Sequence, residues 1–415
     1  MPPLLCILLP DTRRQGGLEG SAVPISDNVA IIGVGVTKFG ELFEQSYTDL
    51  LIDAAYEAYA DAGIDPGEIE AAWLGTAFPQ LNALLGDDGS SLTDPLNLPN
   101  IPVTRVANLC ATGMEAVRAA AMAVAAGEYN MVLALGVEKM REVSPRGSLV
   151  ARHITETHPM LTKGRTAPGM FAVLANRYFE EYGYDKGTLA KIAVKNHYNG
   201  SLNDRAHFRK PITEDQVVKA PLVADPLGLF DCCPTTDGAA AVILTTKEIA
   251  ERLKKDYVLI KGAGVASWGG YFSVQYRPDF DFLGFPATRA AAAQAYRQAG
   301  ISDPREQIDV AECHDCFTIT EILNYEDLGF CERGEGGKLI VEGVTTLEGG
   351  LPVNVSGGLK ATGHPVGATG VRMIGEITNQ IRGRQGKRQV ANAKTGLAHT
   401  LGGPGVISCV MVLGR

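Results

Sequence analysis

The chain has 415 residues, of which 45% are hydrophobic and 20% charged, and its formal net charge at pH 7 is -9. This length and composition allow two core-forming lobes and exclude a low-complexity chain. The acidic balance argues against a general nucleic-acid-binding protein, and no apolar run is long enough to span a bilayer. Eight cysteines, spaced unlike a secreted disulfide framework, favour a reducing, cytoplasmic compartment.

The first predicted elements are a strand, a helix and a second strand. Residues 1–28 lack the positively charged start of a secretory signal, so we expect an N-terminal extension there. The apolar run 29–36 predicts a buried strand, residues 48–62 a helix that stops at an Ala-Gly-Ile sequence, and residues 71–75 another strand. Strands that alternate with helices are typical of α/β architecture.

A second unit with the same order of elements follows in the C-terminal part of the chain. It has a predicted strand at 257–265, a helix at 288–299 that also stops at Ala-Gly-Ile, and a strand at 308–313. Chance similarity is one explanation, because glycine and alanine are abundant, but the shared order favours an internal duplication. We therefore expect an N-terminal half at 29–250 and a C-terminal half at 251–415.

One cysteine and one histidine occupy matching positions in the two halves. Cys110 opens a Cys-Ala-Thr-Gly sequence just before a predicted helix at 114–127, and His364 closes an Ala-Thr-Gly-His sequence before a predicted helix at 365–382. An isolated cysteine is usually a core residue, but a helix N-terminus stabilises a thiolate. Five glycines and a proline surround His364, so packing does not explain it. The pair suggests a nucleophile and its base.

A Cys-x-x-Cys pair with a histidine follows the strand predicted at 308–313. Residues 312–317 are Glu-Cys-His-Asp-Cys-Phe, at the end of a strand, where α/β sheets bind ligands. A zinc half-site, a redox pair and catalytic groups on a loop are three hypotheses. The chain has no second Cys-x-x-Cys pair to complete a zinc site, and we see no thioredoxin-like unit. We prefer the catalytic hypothesis without a metal, with Cys313 buried and His314 and Cys316 as the working side chains.

Two further features have both a functional and an ordinary interpretation. Residues 399–405 form a predicted glycine turn before a last strand at 406–413, and such a turn either offers an N–H group to an anion or only joins two elements. Residues 141–211 contain 12 Lys/Arg against 6 Asp/Glu. This positive excess either attracts a small polyanion or belongs to a helical surface that happens to carry lysines. Motifs for NAD, ATP or a serine hydrolase are absent.

From about residue 29 to the end, the chain resembles the thiolase family, and within it the sterol-carrier-protein type and its archaeal and bacterial relatives. Residues 354–370 are similar to the thiolase signature Asn-x-x-Gly-Gly…Gly-His-Pro-x-Gly-Ala-x-Gly, and the His-Asp-Cys-Phe block at 314–317 and the Cys-Ala-x-Gly setting of Cys110 also match. The resemblance implies a five-layer αβαβα fold of two duplicated halves, with an inserted loop domain at about 141–225 that helps to hold coenzyme A.

The chain departs from ordinary thiolases at two positions. Those enzymes have their second catalytic cysteine in the C-terminal glycine turn, where this chain has Thr400, and an asparagine where it has His314. The sterol-carrier-protein type is similar to this chain in both respects. The resemblance therefore implies that Cys316 is the acid/base cysteine.

The resemblance also implies the other roles in the site. Cys110 resembles the cysteine that becomes acylated, and His364 the histidine that deprotonates it. The backbone N–H groups of Cys110 and Gly402 would bind the first oxyanion, and His314 with His364 would bind the enolate. The implied enzyme cleaves or forms 3-oxoacyl-CoA, with coenzyme A as co-substrate and no permanently bound cofactor.

Two other functions and several partners stay open at this point. A ketosynthase or HMG-CoA-synthase-like condensing enzyme would use the same fold, and a non-catalytic subunit would use it as a scaffold. Relatives form dimers or dimers of dimers, and some work with a small zinc-ribbon and OB-fold subunit. We therefore expect acyl-CoA, CoA and a second copy of the chain as partners, and neither nucleic acid nor a membrane.

Overall fold

The computed structural model describes residues 24–79, 86–142, 166–253, 256–270 and 274–415. Most of the expected N-terminal extension and residues 143–165 of the expected loop domain lie outside these ranges. Within them, no helix combines the length and the apolar character needed to cross a bilayer.

The strands are β1 (Val29–Val36), β2 (Ala71–Gly75), β3 (Val103–Val106), β4 (Met131–Glu138), β5 (Leu222–Ala224), β6 (Leu227–Gly228), β7 (Gly238–Thr246), β8 (Val258–Ser267), β9 (Val310–Glu312), β10 (Thr395–Gly402) and β11 (Ile407–Gly414). The α-helices are α1 (Tyr47–Ala62), α2 (Thr112–Ala125), α3 (Ala167–Tyr182), α4 (Lys186–Ser201), α5 (Glu214–Val218), α6 (Lys247–Leu253), α7 (Pro286–Ala299), α8 (Pro304–Gln307), α9 (Thr318–Asp327), α10 (Gly336–Val341), α11 (Gly358–Ala361) and α12 (Val366–Ile381).

Nine strands form one mixed sheet in the order β3-β2-β4-β7-β1-β8-β11-β10-β9, and β5 pairs with β6 apart from it. The first five strands of this order come from the N-terminal half of the chain and the last four from the C-terminal half. The two groups meet where β1 pairs antiparallel with β8, at Ala30 with Leu259 and Ile31 with Val258. Each half therefore supplies one continuous part of the sheet.

Both predicted strand-helix-strand units are present, and their helices end in the same way. The Ser46 hydroxyl accepts a hydrogen bond from the backbone N–H of Asp49 and starts α1. Gly63 ends α1 with φ 64°, and Gly300 ends α7 with φ 68°. Glycine adopts this left-handed backbone without the clash that a Cβ would cause. The helix ends predicted from the Ala-Gly-Ile sequences are thus confirmed.

The helices and the two parts of the sheet form five layers. α1 packs against β1 and β7, and α7 packs against β8 and β11. α2 and α12 pack against each other between the halves, and α12 contacts β4 and β7 on one side and β10 on the other. Along β4, Leu133 packs in the apolar cluster of α1 and Val132 in the cluster of α2, as expected for a strand covered on both faces. The predicted αβαβα fold is confirmed.

The start of α12 lies against the backbones of β4 and α2. A Cβ on Gly136 would lie 2.1 Å from the carbonyl oxygen of Gly367, and a Cβ on Gly113 would lie 2.4 Å from the same oxygen. Neither position accepts a side chain without moving a helix. Because Cys110 precedes α2 and His364 precedes α12, this contact sets the distance between the two candidate residues.

Two predictions about local structure were wrong in part. Residues 399–402 belong to strand β10, where His399 pairs with Val410 and Gly402 with Ile407, so the turn contains only residues 403–406. The strand predicted at 308–313 is shorter, because the N–H of Cys313 donates to the side chain of Asn354 and not to a neighbouring strand. In both cases pairing partners distant in sequence determine where the strand ends.

The expected loop domain corresponds to the long connection between β4 and β7. Its described part contains helices α3, α4 and α5 and the small sheet of β5 and β6. The boundaries of this domain and of the two halves remain predictions.

Candidate active site

Cys110 lies in a tight bend immediately before α2. Leu109 has a left-handed backbone with φ 54°, which is uncommon for a residue with a branched side chain. The Thr112 hydroxyl closes the bend, since it donates to the Leu109 carbonyl at 2.5 Å and accepts from the N–H of Asn108 at 2.7 Å. Gly402 lies behind this bend, where a Cβ would be 2.9 Å from the Cβ of Leu109. Close contact with the end of β10 therefore holds the Cys110 loop in place.

His364 is oriented by a threonine one turn into α12. Its Nδ1 lies 2.8 Å from the Thr369 hydroxyl, which in turn donates to the carbonyl oxygen of Pro365 at 2.8 Å. Because the single hydroxyl proton goes to Pro365, the Thr369 oxygen accepts from Nδ1–H. The imidazole then has its lone pair on Nε2, a buried atom with no hydrogen-bond partner among the described residues. His364 therefore presents an unprotonated ring nitrogen to the site.

Both candidate histidines are held in the neutral form. Burial lowers the pKa of His364 to about 3, and the charge of Arg372 acts in the same direction. Burial also lowers the pKa of His314 well below its usual value, with smaller contributions from His364 and His399. A neutral imidazole is the form that can accept a proton from a thiol.

The structure brings Cys110, His314 and His364 together from both halves of the chain. The Cys110 sulfur and one ring nitrogen of each histidine all lie within 4.8 Å of one another. The two imidazole rings are 5.2 Å apart between centroids and nearly perpendicular, at 82°. A thiol beside two neutral imidazoles is suited to nucleophilic chemistry.

The loop that carries His314 is fixed through its backbone. The N–H of His314 donates to Nδ1 of His399 at 3.4 Å, and its carbonyl oxygen accepts from the side chain of Asn324 at 2.7 Å. The next residue, Asp315, accepts from the N–H groups of Leu359 and Lys360 at 2.6 and 3.2 Å. The imidazole therefore reaches the site from a loop with little freedom to move.

Cys316 and Cys313 differ in what they face. Cys313 is fully buried, and its sulfur lies 3.7 Å from the Asn354 side chain. Cys316 lines the same cavity as Cys110, and its sulfur is 3.8 Å from the Thr320 hydroxyl. Burial raises the pKa of the Cys316 thiol well above its usual value, so it is protonated. Cys316 can therefore donate a proton inside the cavity.

The cavity at these residues has a volume of about 190 Å³. Four of the predicted site residues, Cys110, His314, Cys316 and His364, line it, whereas at the end of β10 the lining residue is Gly403 and not Gly402. Most of the remaining wall is apolar and is formed by Phe78, Leu109, Met140, Ala167, Pro168, Phe171, Phe317 and Val366. An apolar wall of this kind strengthens electrostatic interactions at the reacting groups.

Sequence analysis missed Glu138, a fully buried carboxylate beside the site. It accepts hydrogen bonds from the N–H groups of Ala77, Phe78 and Gly367, each at 3.0 Å. Burial raises its pKa to about 7, although these three donors act in the opposite direction. Glu138 thus ties the wall of the cavity to the first turn of α12. An acidic residue at the end of an otherwise apolar strand was the available indication in the sequence.

Replacement of Thr369 tests the orientation of His364. Thr369→Val removes the acceptor for Nδ1–H, so the proton can move to Nε2 and the base is lost. We expect the rate of Cys110 alkylation by iodoacetamide at pH 7 to fall by about tenfold. Thr369→Ser keeps the hydroxyl and should react like the wild type. Equal rates for the wild type and both variants would contradict this role.

His399 makes stability depend on pH. Its Nε2 lies 3.0 Å from the Ser408 hydroxyl, and burial lowers its pKa to about 3. Below a pH of about 6.5 the unfolded chain binds a proton that the folded protein does not, so the folded state loses stability as pH falls. Relative to His399→Gln, we expect the wild type to lose about 1.4 kcal/mol between pH 7.5 and 5.5. Urea unfolding at both pH values measures this difference, and a pH-independent difference would refute it.

Comparison with known proteins agrees with this architecture. A family model for the thiolase N-terminal domain matches residues 29–248, and one for a thiolase C-terminal domain-like unit matches residues 270–415. An acetyl-CoA acetyltransferase from Methanothermobacter thermautotrophicus is 41% identical over 389 residues, which is 94% of this chain and 100% of the relative. Sterol carrier protein 2 from Gallus gallus is 34% identical, over 94% of this chain and 72% of the relative.

Among solved structures, the Ltp2-ChsH2(DUF35) aldolase matches with a TM-score of 0.82 and 27% identity, over 95% of this chain and 99% of that one. The five-layer fold, with one domain model matching each half, defines an enzyme of the thiolase fold. The chain belongs to the thiolase family, and it is an acyltransferase.

Proposed function

We propose that this acyltransferase cleaves or forms 3-oxoacyl-CoA through an acyl group on Cys110, with coenzyme A as co-substrate. The observation that carries the proposal is the cluster of one thiol and two neutral imidazoles within 4.8 Å of one another. A base beside a thiol generates the thiolate that attacks a carbonyl carbon. The apolar cavity beside the cluster offers space for an acyl chain.

In the cleavage direction, His364 takes the proton of Cys110 and the thiolate attacks C3 of the substrate. The developing oxyanion accepts hydrogen bonds from the N–H groups of Cys110 and Gly402, the proposed donors at the bend before α2 and the end of β10. Each such donor contributes about 3 to 4 kcal/mol to stabilisation of the transition state. Collapse breaks the C2–C3 bond, leaves the acyl group on Cys110 and releases acetyl-CoA as its enolate.

The enolate oxygen is bound by His314 and the protonated His364, and Cys316 donates a proton to C2. This role needs a protonated thiol, which the raised pKa of Cys316 supports. In the second half-reaction the Cys316 thiolate takes the proton of the CoA thiol, and CoA attacks the acyl group. Cys110 leaves as a thiolate and recovers its proton from His364. All protons and both cysteines return to their starting states, which predicts ping-pong kinetics.

The proposal is tested with a panel of 3-oxoacyl-CoA and acyl-CoA substrates. The protein is mixed with each thioester in the presence or absence of free CoA, and the peptide that contains Cys110 is analysed by mass spectrometry. We expect an added acyl mass on Cys110 that free CoA removes. A panel in which no thioester modifies Cys110 would overturn the proposed nucleophile, and the mass found identifies the acyl group.

Other functions of this fold predict different results. A ketosynthase or an HMG-CoA-synthase-like enzyme would acylate Cys110 without needing Cys316. One solved relative is named an aldolase, and an aldol cleavage by this chain would leave no acyl group on a cysteine. A non-catalytic subunit would show no selective alkylation of Cys110. Cys110 and Cys316 line the same cavity, and this favours the thiolase reaction.

We also propose that the enzyme is cytoplasmic and works as a homodimer or a dimer of dimers, with the domain division predicted above. The solved relative is named the Ltp2-ChsH2(DUF35) aldolase, and this two-part name supports a partner subunit, which we propose to be small, as a further component. Light scattering of the purified chain, alone and after co-expression with a candidate subunit, measures both associations. A monomeric active enzyme would refute the proposed assembly.

A further inference from the structure

A second and larger cavity opens on the side of the molecule where β1 and α12 meet. Its volume is about 620 Å³, and it shares no lining residue with the cavity that contains Cys110. Val34 and Val36 of β1 and Gly375 of α12 line it, together with several charged side chains. The proposed reaction uses none of these residues.

A buried arginine with unused donors lines this cavity. Arg372 has 3% of its side chain exposed, and its Nη1 donates to the Glu312 carboxylate and to the Ser356 hydroxyl. Its Nε and Nη2 atoms are buried and have no hydrogen-bond partner in the described ranges. A guanidinium is always charged and offers a planar pair of donors that fits an oxyanion. One edge of this buried cation therefore lacks a ligand.

The lining of this cavity has more positive than negative charge, in a chain whose net charge is -9. Its charged residues are the cations Arg205, Arg209, Arg372, Arg384, Lys387 and Arg388 and the carboxylates Glu57, Asp204 and Glu376. Ion pairs neutralise four of the six cations: Arg205 pairs with Glu57, Arg372 with Glu312, Arg384 with Asp61 and Asp256, and Arg388 with Glu376. The exposed cations Arg209 and Lys387 form no ion pair with a described residue, so their charges are available to a ligand.

We propose that this cavity binds a small phosphate anion, either free phosphate or a diphosphate, with Arg372 as the buried contact and Arg209 and Lys387 as the outer contacts. The three cations line the same cavity from three separate segments of the chain, so one anion can contact them together. An oxyanion also supplies acceptors for the N–H groups of Arg372 that lack partners, which removes the penalty of a buried unpaired donor.

This site is physically connected to the candidate active site. Arg372 lies on the helix that begins just after His364, and its partner Glu312 ends the strand that precedes His314. Thr362, two residues before His364, also lines the cavity. An anion bound to Arg372 therefore contacts the helix that follows His364, and it is linked to the His314 segment through the Arg372–Glu312 ion pair.

The proposal is tested by isothermal titration of the purified full chain with sodium phosphate and with pyrophosphate, at ionic strength held constant with potassium chloride. We expect saturable binding of one anion per chain. Arg209→Gln and Lys387→Gln should each weaken binding by about threefold, as expected for an exposed cation. Lys394→Gln removes an exposed lysine that does not line the cavity and should leave the affinity unchanged.

Saturation with CoA distinguishes this site from the substrate site. Binding that persists with CoA present supports a separate anion site. The anion that binds more tightly then identifies whether the site prefers free phosphate or a diphosphate. Displacement by CoA would overturn the proposal, because the phosphates of the substrate would then account for the binding. The absence of saturable binding by either anion, or equal affinity in the wild type and both cavity variants, would also overturn it. Each result is independent of the reaction at Cys110.

Discussion

Cys110→Ala is expected to lower turnover of 3-oxoacyl-CoA by about 10⁴-fold or more, because it removes the nucleophile on which both half-reactions depend. The side chain is only partly buried and lies at the end of a bend that backbone and Thr112 contacts hold. The variant should therefore fold and unfold like the wild type. Steady-state rates with a 3-oxoacyl-CoA and free CoA measure the loss.

Mass spectrometry of the same variant distinguishes a lost nucleophile from a damaged fold. Cys110→Ala should show no acyl adduct after incubation with the best substrate of the panel, while its circular dichroism spectrum matches that of the wild type. Cys331→Ala is the matched control, since Cys331 is also partly buried but lies outside the cavity. Turnover of Cys110→Ala at more than a hundredth of the wild-type rate would contradict a covalent mechanism through this residue.

Cys316→Ala has the second largest expected effect, with a different pattern. Loss of a general acid and base lowers the rate by about 10² to 10⁴-fold. Cys316 serves both half-reactions, but the CoA thiolate is a good leaving group without an acid, whereas the enolate carbon needs a proton donor. Acylation of Cys110 by a simple acyl-CoA should therefore slow much less than cleavage of 3-oxoacyl-CoA. The measurement combines steady-state rates with the mass of the Cys110 peptide for each substrate.

This prediction separates a thiolase from the other condensing enzymes. If Cys316→Ala retains full activity, the enzyme uses only a cysteine and two histidines, and the ketosynthase or HMG-CoA-synthase-like function is favoured. Cys232→Ala is the matched control, because Cys232 lines the same cavity but its sulfur lies 3.4 Å from the carbonyl oxygen of Gly228. Equal losses in Cys232→Ala and Cys316→Ala would indicate a general effect on the cavity instead of proton transfer.

Local patterns in the sequence were sufficient for much of the fold. The strand at Val29–Val36 and the strand at Ala71–Gly75 have the bounds that their apolar runs predict. The glycines at 63 and 300 end their helices, since only the residues next to them decide whether a left-handed backbone is accessible. The duplicated order of elements led to two matched helix starts, and so to Cys110 and His364 as candidates.

Predictions failed where a distant partner decides the local structure. The glycine turn predicted at 399–405 is in its first four residues a strand, because β11 offers a ladder of partners up to Ile407 opposite Gly402. His399 itself supports the backbone of His314 and does not line the cavity. No pattern of nearby residues contains these contacts.

The sequence alone determined which chemical groups this chain carries and which short segments present them, because glycine turns, apolar periodicity and helix ends depend on neighbouring residues. The tertiary structure decided which imidazole nitrogen is free, that Glu138 joins the cavity wall to the start of α12, and that Arg372 has unused donors. These properties depend on burial and on hydrogen bonds between atoms that come together only when the two halves pack around α2 and α12. Burial, which no short segment produces, is also what lowers the pKa of His364 and raises that of Cys316.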